Sequence, residues 1–116
     1  MSYLKDYNSG RILYSLEGNM LKDYNAGRTL CTLEGTYIKD YNSGRYLYSI
    51  EGDYFKDYSS GKILYNWEGN YLKDFTTGKI LYQLETSNLR DFQTGRTLYT
   101  WDGIFSKSLL IYVLSR

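Results

Sequence analysis

Polar and apolar residues alternate along the chain in short runs, and Gly cuts these runs at intervals of eight or nine residues. Tyr3-Leu4-Lys5-Asp6-Tyr7 and Arg11-Ile12-Leu13-Tyr14-Ser15-Leu16-Glu17 are two such runs, with Asn8-Ser9-Gly10 and Gly18-Asn19 as the breaks. Runs rich in Tyr, Ile and Leu bounded by Asn, Ser and Gly predict strand, turn, strand, turn. A helix is disfavoured, because each Gly costs about 1 kcal/mol in a helix interior. The predicted unit is a β-hairpin with strands near Tyr3–Tyr7 and Arg11–Glu17.

The unit recurs with a period of 17 residues. Asp6, Asp23, Asp40, Asp57, Asp74 and Asp91 mark six copies, which extend to Lys107 and make one tandem-repeat domain of residues 1–116. Gly10, Gly27, Gly44, Gly61, Gly78 and Gly95 hold one row, each followed by Arg or Lys. Leu13 and its five equivalents are all Leu, the Tyr14 row is Tyr except for Cys31, the Glu17 row is acidic, and the Lys5 row is basic. The second Gly row is broken at Thr86.

The odd period constrains the sheet. Equivalent positions keep to one face only if one loop is even and the other odd in length, or if a bulge intervenes. A four-residue loop Tyr7–Gly10 and a three-residue loop Glu17–Asn19 would pair Leu4 with Leu13 and Leu16 with Met20. Both faces would then be half apolar. An all-β antiparallel meander of six hairpins, as a twisted open sheet spanning on the order of 55 Å, is the expectation. A closed propeller-like or barrel-like ring is the alternative, although twelve such strands would enclose more room than Tyr alone fills. A β-solenoid ranks lower, because it would stack the Lys row about 4.8 Å apart.

Composition narrows the chemistry. Lys and Arg number 14 against 13 Asp and Glu, for a formal charge of +1. Binding held mainly by phosphate charge is therefore disfavoured, nucleic acid included. With no His and one Cys, neither a zinc site of the usual ligands nor a Ser-His-Asp or Cys-His pair can form within the chain. Met1-Ser2-Tyr3-Leu4-Lys5-Asp6 lacks the basic start and apolar run of a signal peptide, and no stretch approaches the roughly 18 apolar residues of a membrane helix. A cytoplasmic location without membrane attachment is expected.

The segment Asp6-Tyr7-Asn8-Ser9-Gly10-Arg11-Ile12-Leu13-Tyr14 resembles the D-x-x-[ST]-G-[KR]-x-L-[WY] hairpin in blades of PQQ-type β-propellers. The copies at Asp6, Asp40, Asp57, Asp74 and Asp91 match; the copy at Asp23 has Ala26 in the Ser/Thr slot and Cys31 in the aromatic slot. The resemblance implies that the Asp caps the turn, the Gly takes a positive-φ position and the aromatic docks on its neighbour. Those blades have four strands and more than twice this period, so no cofactor or catalytic residue is carried over. The overall plan also looks like MORN-type repeats, single-layer β-meanders used for binding and assembly, though their spacing is absent.

The residues suggest three chemistries. Asp6-x-Asn8-x-Gly10 looks like the start of a calcium loop, but the Asn row decays to Ser59, Thr76 and Gln93, and turn capping accounts for the Asp. Acid pairs for catalysis would occur six times over, whereas active sites are single asymmetric pockets; no enzyme, cofactor or metal is expected. Exposed aromatics are candidates for stacking on sugar rings: Tyr14, Tyr48, Tyr65, Trp67, Tyr82, Tyr99 and Trp101.

The last segment breaks the pattern. Leu109-Leu110-Ile111-Tyr112-Val113-Leu114 has neither acid nor Gly, and residues 108–116 read as a cap or as a strand that pairs with a second chain. The functional expectation is a non-catalytic structural or protein-interaction repeat module, with a protein partner or a homo-oligomer formed through this segment. A carbohydrate-binding module is the alternative.

Overall fold

The Gly-punctuated runs become twelve strands. In the structure, a computed structural model covering residues 1–116, these are β1 (Ser2–Asp6), β2 (Ile12–Glu17), β3 (Met20–Asp23), β4 (Thr29–Glu34), β5 (Tyr37–Asp40), β6 (Tyr46–Glu51), β7 (Tyr54–Asp57), β8 (Ile63–Glu68), β9 (Tyr71–Asp74), β10 (Ile80–Leu84), β11 (Asn88–Asp91) and β12 (Thr97–Asp102). Each pairs antiparallel with its neighbours in sequence, and β1 pairs with β12. The meander is therefore all-β and antiparallel, and it closes. The open sheet gives way to the ring: the molecule measures 37 × 34 × 19 Å, a thick disc rather than a 55 Å ribbon. Closure removes both unpaired sheet edges at once.

The register explains why closing is worthwhile. At one rim the Asp6 amide donates to the Arg11 carbonyl across the four-residue loop, as the spacing implies. Lys5 then pairs with Ile12 but Leu4 pairs with Tyr14, so a bulge at Leu13 shifts the ladder by one residue. At the other rim the loop has two residues, not three: Glu17 pairs with Met20 and Leu16 with Leu21. Gly18 has φ +61° at the first central position, the placement a type II′ hairpin turn reserves for Gly. Two even loops and one bulge keep equivalent residues on one face around the ring.

That bulge corrects the expected face assignment. Leu4, Tyr14, Leu16 and their equivalents share the inner face, while Tyr3, Lys5, Ser15 and Glu17 lie outside. The faces are unequal: Leu4, Leu21, Ile38, Phe55, Leu72 and Leu89 are all fully buried inside. Burying each such side chain contributes roughly 1.5–3 kcal/mol, so the inner face drives the sheet to curl on itself.

The lumen is filled by α1 (Lys107–Leu114), the one helix. Its contacts are with inner-face residues well separated around the ring: Lys107 Nζ sits 5.0 Å from the Trp67 ring centre on β8, Tyr112 meets Tyr48 of β6 edge-on at 6.5 Å, and Arg116, just beyond the helix, reaches Tyr14 of β2. The helix thus threads from the Gly-Asn rim, near Trp67, to the Asp rim, near Tyr14. Leu109, Leu110, Ile111 and Val113 are buried and are spread around the helix, the signature of an element enclosed on all sides.

This overturns the pairing strand read from residues 108–116. The residues expected to self-associate, Leu109 to Leu114, are spent inside the protein's own ring. A closed ring offers no edge for a thirteenth strand, and a lone strand in the lumen would leave its backbone unpaired, whereas a helix satisfies its own. Ser106 caps the helix by accepting from the Leu109 amide. No helix is long and apolar enough to cross a membrane.

Candidate functional site

The Asp rim is built from one device used repeatedly. Asp6 Oδ2 accepts from the Ser9 amide at 2.9 Å and from the Ser9 hydroxyl at 2.8 Å, and that hydroxyl accepts from the Arg11 amide at 3.2 Å. The same lock forms between Asp40 and Ser43, Asp57 and Ser60, Asp74 and Thr77, and Asp91 and Thr94. These bonds favour the charged carboxylate and hold all five Asp below their ordinary range. In the remaining copy Ala26 supplies no hydroxyl, and Asp23 accepts only from the Asn25 and Ala26 amides, at 3.1 and 3.4 Å. The Gly of each turn has positive φ, Gly10 at +73° among them. Each carboxylate serves its own turn, and no three acidic, Cys or His side chains converge as a metal-ligand group.

The aromatics expected to face a ligand point inward. Tyr14, Tyr48, Tyr65, Tyr82 and Tyr99 line the lumen half-buried, with Cys31 in the sixth place. Burial pushes the phenols of Tyr48, Tyr82 and Tyr99 upward. Tyr112 on the helix is pushed up to about 12 by burial and by the neighbouring Cys31; the Cys31 thiol is likewise pushed up to about 12, chiefly by burial. Trp67 and Trp101 are only 7% and 5% exposed. Trp101 packs against Phe105 of the linker at 6.2 Å. The seven residues are brought together, but as the wall around α1.

The outer wall carries what is displayed. Six ion pairs run around it, from Lys22–Glu17 at 3.4 Å through Arg90–Glu85 at 3.0 Å to Lys5–Asp102 at 3.1 Å across the closing seam. They neutralise the Lys5 row with the Glu17 row, each pair being worth about 0.2–1 kcal/mol at such exposure. Between them stand aromatic pairs of a single design, in which a ring of the Tyr3 row meets a ring of the Tyr7 row two strands on: Tyr3–Tyr24, Tyr37–Tyr58, Tyr54–Phe75 and Tyr71–Phe92, all at 5.7–5.9 Å and close to perpendicular.

One of these pairs is enlarged. Tyr46 stands where the other copies have Ile or Thr, stacks on Tyr37 at 5.0 Å and 18°, and meets Tyr58 at 5.3 Å. Lys39 Nζ stands 5.9 Å from the Tyr46 ring centre. Tyr37, Tyr46 and Tyr58 remain 38%, 39% and 45% exposed. The repeat pattern alone does not assign these three rings to one outward face, because that requires knowing where the bulge lies. The available signal was Tyr46 itself, the one aromatic in the row of Ile12, Thr29, Ile63, Ile80 and Thr97. The edge-on pairing is interrupted where the Tyr3 row holds Met20 and Asn88 and recurs at the other four positions around the ring.

Comparison of the chain with protein-family models, with curated proteins and with solved structures finds no match.

Proposed function

We propose that this protein is a non-catalytic ring scaffold that docks a protein partner on its aromatic outer wall around Tyr37, Tyr46 and Tyr58. The observation that carries this reading is the exposed three-ring cluster itself. Tyr is enriched in the well-packed centres of protein interfaces, because it offers a large, rigid contact area with a polar tip. The rigid helix-filled ring below holds the three side chains in place at little entropic cost to binding. The neutralised Lys–Glu belt limits attraction for polyanions, in keeping with a partner chosen by shape and aromatic contact.

Site-directed photocrosslinking tests this. A photoreactive phenylalanine at position 46 is expected to capture a discrete protein in the native cell. The same probe at Thr97, three repeats along and so across the ring, is expected to capture none. Equal capture at both positions, or none at position 46, would refute the assignment.

A further inference from the structure

Six near-identical units provide an internal standard, and one groove of the outer wall opens in a single copy. It has a volume of about 190 Å³ and crosses β1, β2 and β3 up to the Asp rim, with Tyr3, Ser15, Glu17, Lys22, Asp23 and Tyr24 in its walls. The strand register arranges these residues. Ser15 stands directly opposite Tyr3 on one side and Lys22 on the other, with neighbouring Cβ atoms about 4.5–5.5 Å apart, and Glu17 follows two residues along the same face. A small ring laid over Ser15 therefore reaches its neighbours on all three strands.

Two polar groups in this groove lack the partners they have elsewhere in the chain. Ser15 is 4% exposed, the one buried polar residue, and its hydroxyl takes part in no hydrogen bond of the protein. Because no fully enclosed polar atom is left without a partner, that hydroxyl opens into the groove. Asp23 is the one turn acid without a hydroxyl lock: the Asn25 and Ala26 amides donate to its Oδ1 at 3.1 and 3.4 Å, and its Oδ2 accepts nothing. Around them the wall is accessible, since Tyr24 is 48% exposed and the Lys22–Glu17 pair, at 3.4 Å, is partly exposed. The sibling positions are filled instead. Thr32, Asn66, Gln83 and Thr100 are larger than Ser15; at Ser49, the one other Ser, the ring of Tyr46 lies against both Tyr37 and Tyr58, where this copy has Ile12.

We infer that this groove binds a neutral sugar, a single hexopyranose, with one ring face on Tyr24 and its hydroxyls on Ser15, Asp23, Glu17 and Lys22. Charge selects the class. Asp23 and Glu17 disfavour an anion, the Lys22 ammonium disfavours a cation, and an apolar molecule would cover Ser15 and Asp23 Oδ2 without pairing them. A hexose carries adjacent hydroxyls that each donate and accept, which matches carboxylates that only accept beside an ammonium that only donates. Its C–H face suits a half-exposed tyrosine ring. The protein-docking surface at Tyr37, Tyr46 and Tyr58 uses other residues, so the two sites are independent.

The test follows the backbone amide resonances of the full chain as D-glucose, D-galactose or D-mannose is added. At least one sugar is expected to give saturable shifts at Ser15, Lys22 and Tyr24, with a dissociation constant in the millimolar range for so small a ligand. Cyclohexanol, acetate and choline are expected to give none at the same concentration. Ile12→Tyr, which copies the residue that fills the groove at Tyr46, is expected to abolish binding while keeping the fold. Ser15→Ala, which removes the floor hydroxyl, and Ala26→Ser, which draws Asp23 back to its own turn, are each expected to weaken binding about tenfold. Shifts that persist unchanged in Ile12→Tyr and Ser15→Ala would overturn the assignment by placing the sugar elsewhere. Equal binding of cyclohexanol, acetate or choline, or no saturable shift with any of the three sugars up to about 100 mM, would overturn it as well.

Discussion

Replacing Ala26 with Ser should stabilise the protein, and the chain supplies its own controls. In five copies the residue at this position donates to the Asp carboxylate at 2.7–2.8 Å and accepts from the Arg or Lys amide two residues on at 3.2 Å. The turn at Asp23 has the same backbone bonds, with the Gly27 amide on the Asp23 carbonyl at 2.8 Å and the Asp23 amide on the Arg28 carbonyl at 2.8 Å. A serine hydroxyl would therefore find both partners already placed. A typical hydrogen bond contributes about 0.5–1.5 kcal/mol net, and an exposed turn sits at the low end. Two bonds, less the cost of ordering the side chain, give a gain of about 1 kcal/mol for Ala26→Ser. In a domain of this size that raises Tm by about 4 °C. Thermal and urea unfolding of wild type, Ala26→Ser, Asp23→Asn and the double variant complete the cycle. The gain should shrink in the Asp23→Asn background, since the neutral amide is the weaker acceptor. No gain in wild type, or the same gain with and without the carboxylate, would refute the account of the lock.

Three further outcomes follow from the same geometry. The five locked Asp have folded-state pKa values below their unfolded ones, so their contribution is present above about pH 4 and is lost as pH falls further through the depressed values; the urea midpoint should drop on acidification below pH 4, and Thr77→Ala should flatten that drop. Leu110→Ala or Ile111→Ala in the buried helix should cost about 2–5 kcal/mol by denaturant unfolding, because each opens a void inside a closed ring that has little freedom to collapse; a cost below 1 kcal/mol would show that the helix is not the core. Gly103→Ala should destabilise more than Gly61→Ala: both have positive φ, but at Gly103 an added Cβ would lie 3.0 Å from Ser2 Oγ, which donates to the Ile104 carbonyl and pins the linker to α1, while at Gly61 the space is open.

The hairpins were legible because they are local. Asp6, Ser9 and Gly10 close their turn within five residues, and the hydrogen bonds that cap it involve nothing further away. The Asp6–Arg11 pairing, the strand ends and the antiparallel order follow from that spacing. The faces were not legible, because a single bulge at Leu13 moves Tyr14 from outside to inside, and no residue type marks it. With Tyr14 go Trp67 and Trp101, which read as ligand-stacking residues and are wall residues.

The C-terminal segment shows the same divide on a larger scale. Leu109-Leu110-Ile111-Tyr112-Val113-Leu114 is β-prone by composition and became a helix because of its surroundings. Its surroundings exist only once β1 has met β12, almost a hundred residues away, and enclosed an apolar space wider than the wall's own side chains fill. The repeat itself determined six balanced hairpins, their turns and their order. Closure and the helix in the lumen were decided by tertiary structure, since both depend on residues brought together from opposite ends of the chain; the inner and outer faces were decided by the bulge, which shows only in the strand pairing.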